Sequence, residues 1–244
     1  MNSTRRVLVT GAASGLGSAL VEAFVKRRDH VVGVDRDERG LLRVCTGTGA
    51  IPVVADIADQ TSAEAAVATA IERLGGVDVV VNNAGIVGGG GPLLDLDVDV
   101  LDAVMRVNIR GTFLIGRAAA RAMVAADGGA IVNVGSIGAR QPTAGLGHYE
   151  WTKAAIDAMT RSLALELAGH QVRVNAVAPG PVFTPLTARF AQDPASLALW
   201  QARIPRGNIA TVADVVPAVL FLASEEAAHI TGISMPVDGG QLLV

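Results

Sequence analysis

Short apolar runs alternate with stretches of helical periodicity along nearly the whole chain. Arg6–Thr10 (RVLVT) reads as a buried strand on its Val-Leu-Val core, and His30–Asp35 (HVVGVD) as a second. Ile51–Ala55, Val77–Val81, Ala130–Val134, Val172–Ala178 and Ser234–Val237 continue the series. Between the strands, apolar residues recur at the spacing of a helix with one buried face. Gly15–Arg28 shows it at Leu16, Leu20, Ala23 and Phe24. A short helix over Glu38–Cys45 stops near Gly47 and Gly49, and Ser62–Leu74 follows with Thr61 as its expected N-cap. A long helix is predicted over Val98–Ala126, with Leu101, Val104, Met105, Ile109 and Thr112 on one face. Helices over Gly147–Ala168 and Val212–Ala223 complete the pattern, while Pro181–Arg206 is irregular with helical pieces. Strands separated by helices imply βαβ units and a parallel sheet. Right-handed crossovers then place helices on both faces of it.

The length of 244 residues suits one large α/β domain. No repeat, linker or low-complexity segment divides it, so residues 1–244 are read as a single domain. Half of the residues are hydrophobic, enough for a sizeable core without staples. The net charge of −3 marks no nucleic-acid binder. A single cysteine, Cys45, excludes an internal disulfide and a zinc site on paired thiolates. The uncharged stretch Val7–Val21 after Arg5 and Arg6 has the outline of a signal peptide. Its three glycines and three Ser or Thr fit strand–turn–helix better. No run reaches the roughly 18 apolar residues of a spanning helix. The chain is read as soluble and cytoplasmic, with no membrane partner.

Thr10-Gly11-Ala12-Ala13-Ser14-Gly15-Leu16-Gly17 lies between the first strand and the first helix. Glycines there permit a tight turn and let a pyrophosphate approach the backbone, and the helix N-terminus behind them offers free N–H groups. Asp35 ends the second strand, where a carboxylate accepts the ribose hydroxyls of an adenosine and repels a 2′-phosphate. This favours NAD over NADP. Arg36 argues the other way, since a guanidinium pairs with a 2′-phosphate.

The composition holds one tyrosine, Tyr149, and two lysines, Lys26 and Lys153. Tyr149 and Lys153 stand at i and i+4, on one face of a helix. A free phenol has a pKa of about 10 and is a poor base at neutral pH. A neighbouring ammonium lowers it. The pair thus suits proton transfer at an alcohol oxygen.

These features resemble the classical short-chain dehydrogenase/reductase family, and the resemblance covers the whole chain. TGAASGLG matches the family's TGxxxGxG, and NNAG at Asn82–Gly85 its second signature. Asn108 in VNIRG, Ser136 in VNVGSIG and YEWTK at Tyr149–Lys153 match its catalytic tetrad. PGPVFT at Pro179–Thr184 and VDGG at Val237–Gly240 complete the set.

The resemblance implies a Rossmann-type doubly wound sheet of seven mainly parallel strands, in the order 3-2-1-4-5-6-7. It implies hydride transfer between NAD(H) and a secondary alcohol or ketone. Tyr149 would be the acid/base, Ser136 would bind the substrate oxygen, and Lys153 would lower the tyrosine pKa and bind the nicotinamide ribose. Asn108 would hold a water in a proton relay from that lysine. Gly11, Ser14, Gly15, Leu16 and Gly17 would wrap the pyrophosphate, with Asp35 and Arg36 at the adenosine ribose. Asp56 and Ile57 would flank the adenine, and Asn83, Ala84 and Gly85 its ribose. Pro179, Val182 and Thr184 would meet the nicotinamide end. The family habit also implies a homo-oligomer, a tetramer or dimer. Trp151 departs from the family's small residues before the lysine. It should face away from the tyrosine side, toward a neighbouring helix or subunit.

Asn82 is expected to tie neighbouring strands together, and His148 reads as a loop histidine. The four histidines show no metal-ligand spacing. Substrate contacts are expected from Ile86–Leu94, Ile137–His148 and Pro181–Arg206. The last reads as a lid carrying Phe183, Leu186, Phe190, Leu197, Leu199 and Trp200. An apolar lid suits a largely apolar substrate. These side chains equally suit packing on the body or a partner subunit. Arg140 and Gln141 fit a solvated loop better than a substrate contact. A 3-oxoacyl-thioester reductase of the acyl-carrier-protein type is the nearest alternative, and a non-catalytic dinucleotide-binding regulator another. A serine hydrolase built on Ser136 is excluded, because position 134 is valine where G-x-S-x-G needs glycine.

Overall fold

A computed structural model describes residues 4–188 and 193–244. Seven strands form one sheet: β1 (Arg6–Thr10), β2 (His30–Asp35), β3 (Ile51–Val54), β4 (Val79–Asn82), β5 (Gly129–Val134), β6 (Val172–Pro179) and β7 (Ser234–Val237). Their order is β3-β2-β1-β4-β5-β6-β7, and every pairing is parallel. This is the expected doubly wound sheet. The helices are α1 (Gly15–Lys26), α2 (Glu38–Thr48), α3 (Gln60–Leu74), α4 (Val98–Met105), α5 (Thr112–Ala125), α6 (Gly147–Leu167), α7 (Pro194–Ala202) and α8 (Val212–Leu222).

The strands are apolar without alternation because both faces of the sheet are covered. Val7, Val9, Val79, Val81 and Val132 join Leu20 and Phe24 of α1 and Val219 and Leu222 of α8 in one core. Leu8, Val80, Ile131 and Val174 point the other way, onto Ala66 of α3 and Ile115 and Met123 of α5. Strand order reverses at β1, so the loops after β1 and β4 diverge and leave a crevice at the carboxyl edge.

Two expectations change. Asp59, not Thr61, caps α3, its carboxylate accepting from the Ser62 N–H at 2.7 Å. Thr61 lies inside the helix. The long helix predicted over Val98–Ala126 is interrupted by a π-helical turn at Arg106–Gly111. The wider turn moves the buried stripe. Met105 is thereby 44% exposed, while Asn108 is fully buried. Within the irregular stretch, a short turn at Pro185–Thr187 and α7 are the helical pieces. Val182 bridges to Ala210 in parallel and docks the start of the stretch on the body. Phe190 lies outside the described residues. Among the described residues no helix is long and apolar enough to cross a membrane.

Candidate active site

A cleft of about 350 Å³ runs along the carboxyl edge of the sheet. Gly11, Ser14, Gly15 and Leu16 form its floor between β1 and α1. Gly11 turns through φ +67°, and a Cβ on it would stand 2.8 Å from the Ala84 Cα. Only glycine accepts both conditions. Ser14 occupies the N-cap of α1 without a side-chain cap bond. No side chain therefore covers the first N–H groups of that helix, which suits an anion. Gly17 does not line the cleft. It is buried beneath the turn, where a Cβ would fall 1.9 Å from the Gly11 carbonyl oxygen. Its part is the close packing of α1 under the turn.

Asp35 and Arg36 line one end of the cleft, with Asp56 and Ile57 beside them. The Asp35 carboxylate also accepts the N–H groups of Ala13, at 2.9 Å, and Asp37, at 3.0 Å. It thus fixes the turn while keeping lone pairs for a ligand hydroxyl. Asn83, Ala84 and Gly85 line the middle. The Asn83 amide donates to the carbonyls of Thr10, at 2.9 Å, and Gly11, at 3.3 Å. Thr10 answers by accepting the N–H groups of Asn83 and Ala84 at its hydroxyl. Asn83 and Thr10 are therefore the clasp that joins the two loops of the crevice. Asn82 ties β4 to β5, its side-chain amide donating to the Asn133 side-chain oxygen Oδ1 at 2.9 Å.

Ser136, Tyr149 and Lys153 converge at the inner end, with Pro179, Val182 and Thr184 opposite. Burial pushes the Tyr149 phenol up to about 12, against a hydrogen bond from Ser136. The Glu150 charge adds to the rise. The Lys153 Nζ lies 5.5 Å from the Tyr149 ring centroid and donates to the Val134 carbonyl at 2.8 Å. Burial pulls the Lys153 ammonium itself down to about 8. Desolvation is the largest influence on both groups.

Asn108 lies behind the cleft wall, not on it. Its Oδ1 accepts from the Ile86 N–H at 2.9 Å, and its Nδ2 donates to the Ile86 carbonyl at 2.9 Å and to Thr152 Oγ1 at 3.0 Å. The Asn108 side chain thus braces the loop after β4. The Thr152 hydroxyl donates onward to the Tyr149 carbonyl. Thr152 thus joins Asn108 to the first turns of α6.

His148 is no loop residue. It sits in the first turn of α6, 1% exposed, with Nε2 2.8 Å from the Val87 carbonyl. Arg140 donates to the Ser234 carbonyl and Gln141 to that of Val244, so both loop side chains brace the body. Trp151 points outward and is 53% exposed. Sequence reasoning missed Val107, Val134 and Gly135 on the cleft wall. Only tertiary packing brings them there. Among the described residues no cluster could hold a metal ion.

A family model described as enoyl-(acyl carrier protein) reductase matches residues 11–241. The 2-(R)-hydroxypropyl-CoM dehydrogenase of Xanthobacter autotrophicus is 37% identical, over 97% of this chain and 98% of its own length. The chain belongs to the short-chain dehydrogenase/reductase family. It is therefore an oxidoreductase of a family that binds a nicotinamide dinucleotide. The 3-ketoacyl-(acyl-carrier-protein) reductase of Brucella melitensis, solved with NADH, superposes with a TM-score of 0.91 at 35% identity, covering 96% of this chain and 97% of that one. The gluconate 5-dehydrogenase of Burkholderia cenocepacia, solved with NADP and tartrate, reaches a TM-score of 0.95 at 30% identity, covering 100% and 97%. The two neighbours thus carry different nicotinamide cofactors. The cleft fits such a cofactor: an uncapped helix N-terminus, a turn without side chains and a carboxylate at the far end.

Proposed function

We propose that this protein transfers a hydride between NAD(H) and a largely apolar secondary alcohol or ketone, with Tyr149 as the acid/base. The carrying observation is the convergence of Tyr149, Ser136 and Lys153 at one end of a cleft whose other end presents Asp35. The nicotinamide supplies or accepts the hydride when bound. Tyr149, held protonated by burial, is ready to give its proton to the oxygen of a carbonyl being reduced. Ser136, beside the phenol on the cleft wall, shares that oxygen. Lys153 places a cation beside the phenol, where it offsets the negative charge left after proton transfer.

The adenosine end selects NAD, because the Asp35 carboxylate meets a 2′-phosphate with like charge. Substrate enters beside Ile86, Val182 and Leu186, which supply the apolar wall. The described parts of the stretch after β6, residues 181–188 and 193–206, act as its lid. The oligomer forms through the outer face of α6, with Trp151 in the contact.

Tyr149→Phe should abolish turnover and leave NADH binding intact, measured by nicotinamide fluorescence. Unchanged turnover would sink the reading. Equal or better affinity for NADPH than for NADH in the wild-type protein would overturn the role of Asp35. The Brucella neighbour favours one second reading, reduction of a 3-oxoacyl thioester. A panel of simple ketones and 3-oxoacyl thioesters, followed at the nicotinamide absorbance, separates the two.

A further inference from the structure

Helix α6 carries a third ionisable residue on the face that bears Tyr149 and Lys153. Asp157 lies one turn beyond Lys153 and is 6% exposed. Its Oδ2 stands 3.6 Å from the Arg140 guanidinium. Its Oδ1 is buried with no hydrogen-bond partner. That oxygen sits against Gly135, only 3.4 Å from where a Cβ there would be. Gly135 lies between Ser136 and Val134, whose carbonyl holds Lys153. A buried carboxylate without full pairing is costly unless a nearby cation compensates it.

We propose that Asp157 is a positioning residue: its buried carboxylate is the counter-charge that keeps the Lys153 ammonium charged, and Arg140 competes for it. Burial works against that ammonium and Asp157 works for it. The other groups around Lys153 do not take this part. On α6, Glu150 is turned to the Thr143 N–H. Among the described residues of the neighbouring elements, Arg106, Arg110, Asp99 and Asp102 are exposed. Arg117 pairs with Glu64, and Arg173 binds the carbonyls of Leu222 and Ser224. Asn108, which faces Lys153 across Gly85, is neutral.

This deepens the role given above to Lys153 and rests on it for its functional meaning, but the charge itself is measurable without turnover. The chain has only two lysines, and Lys26 is exposed. Protein labelled with ¹³C at lysine Cε therefore gives two signals to titrate by NMR. The wild-type Lys153 midpoint is expected near the value of about 8. Asp157→Asn should lower it by about one unit, the small end of what an opposite charge does. Arg140→Gln should raise it, because the carboxylate then faces Lys153 alone. A merely structural ion pair is broken by both substitutions and moves both midpoints the same way or neither. The pH at which the reductive kcat/KM falls should follow the NMR midpoints, downward in the first variant and upward in the second. An unmoved midpoint, or movement of one sign in both variants, overturns the proposal. If Asp157→Asn fails to fold, Arg140→Gln decides alone, and no upward movement refutes it. Turnover surviving in Tyr149→Phe would instead refute the catalytic reading and leave the titration result standing.

Discussion

Thr152→Val isolates one hydroxyl. Thr152 is fully buried, so the replacement must keep its shape, and valine does. The substitution deletes the acceptor of the Asn108 Nδ2 bond of 3.0 Å and the donor to the Tyr149 carbonyl. Asn108 keeps its two bonds to Ile86, so a single amide N–H is left buried and unpaired. Such a group costs about 1–3 kcal/mol. For a chain of this size that lowers Tm by roughly 2–12 °C. Thr152→Ser keeps the hydroxyl and loses one methyl, about 0.8 kcal/mol. The functional readout separates the two further. Asn108 and the Tyr149 backbone lose their common tie in the valine variant, and kcat should fall by about tenfold, well within what a small misplacement costs. The serine variant should stay within about twofold. Calorimetry and steady-state kinetics on the three proteins provide the test. A valine variant with wild-type Tm and kcat would show that the Asn108–Thr152–Tyr149 chain carries no weight.

Further outcomes follow from the same geometry. Gly17→Ala should destroy dinucleotide binding, because its Cβ would overlap the Gly11 carbonyl at 1.9 Å; fluorescence titration with NADH measures it. Gly47→Ala should do the opposite to stability. Gly47 lies within α2 with nothing near its Cβ position, so alanine should add about 0.5–1 kcal/mol, seen as a higher Tm. Asp35→Asn should improve NADPH affinity by about tenfold, the scale of one charge contact near the surface, while weakening NADH; an unchanged ratio of the two affinities would argue against electrostatic selection. Lys153 is held down at about 8 in the folded protein, below its ordinary value of 10.5. Between those two pH values the unfolded chain binds more protons, so the lysine's contribution to stability rises with pH across the window. The gain is about 3 kcal/mol at 1.36 kcal/mol per unit. Denaturation of Lys153→Met, compared with wild type at both ends of the window, should lack that rise.

Much of the fold was legible because its elements announce themselves locally. RVLVT and HVVGVD are strands by composition, and both bounds agree with the structure. The phosphate turn was legible because a tight approach to backbone demands glycine. The tyrosine and lysine were legible because helical spacing puts i and i+4 together. The π turn at Arg106–Gly111 was not, since the periodicity of α4 and α5 reads as one helix until the wider turn changes its phase. The same phase change buries Asn108 and exposes Met105. His148 read as a loop residue, yet it lies in the first turn of α6 with its ring against the Val87 carbonyl, a partner far away in sequence. The clasp made by Asn83 was not legible for a similar reason: its partners, Thr10 and Gly11, lie over seventy positions away.

Local spacing and residue type thus set the parallel sheet, the glycine turn and the chemistry of Tyr149 and Lys153, because each depends on neighbours within one or two turns of chain. What surrounds those groups is a matter of long-range packing. Burial raises the phenol to about 12, and the Val134 carbonyl holds the ammonium. Asn108 serves the loop after β4, and Asp157 lies under Gly135. Desolvation and charge act through space, and only the folded chain brings those residues within range of one another.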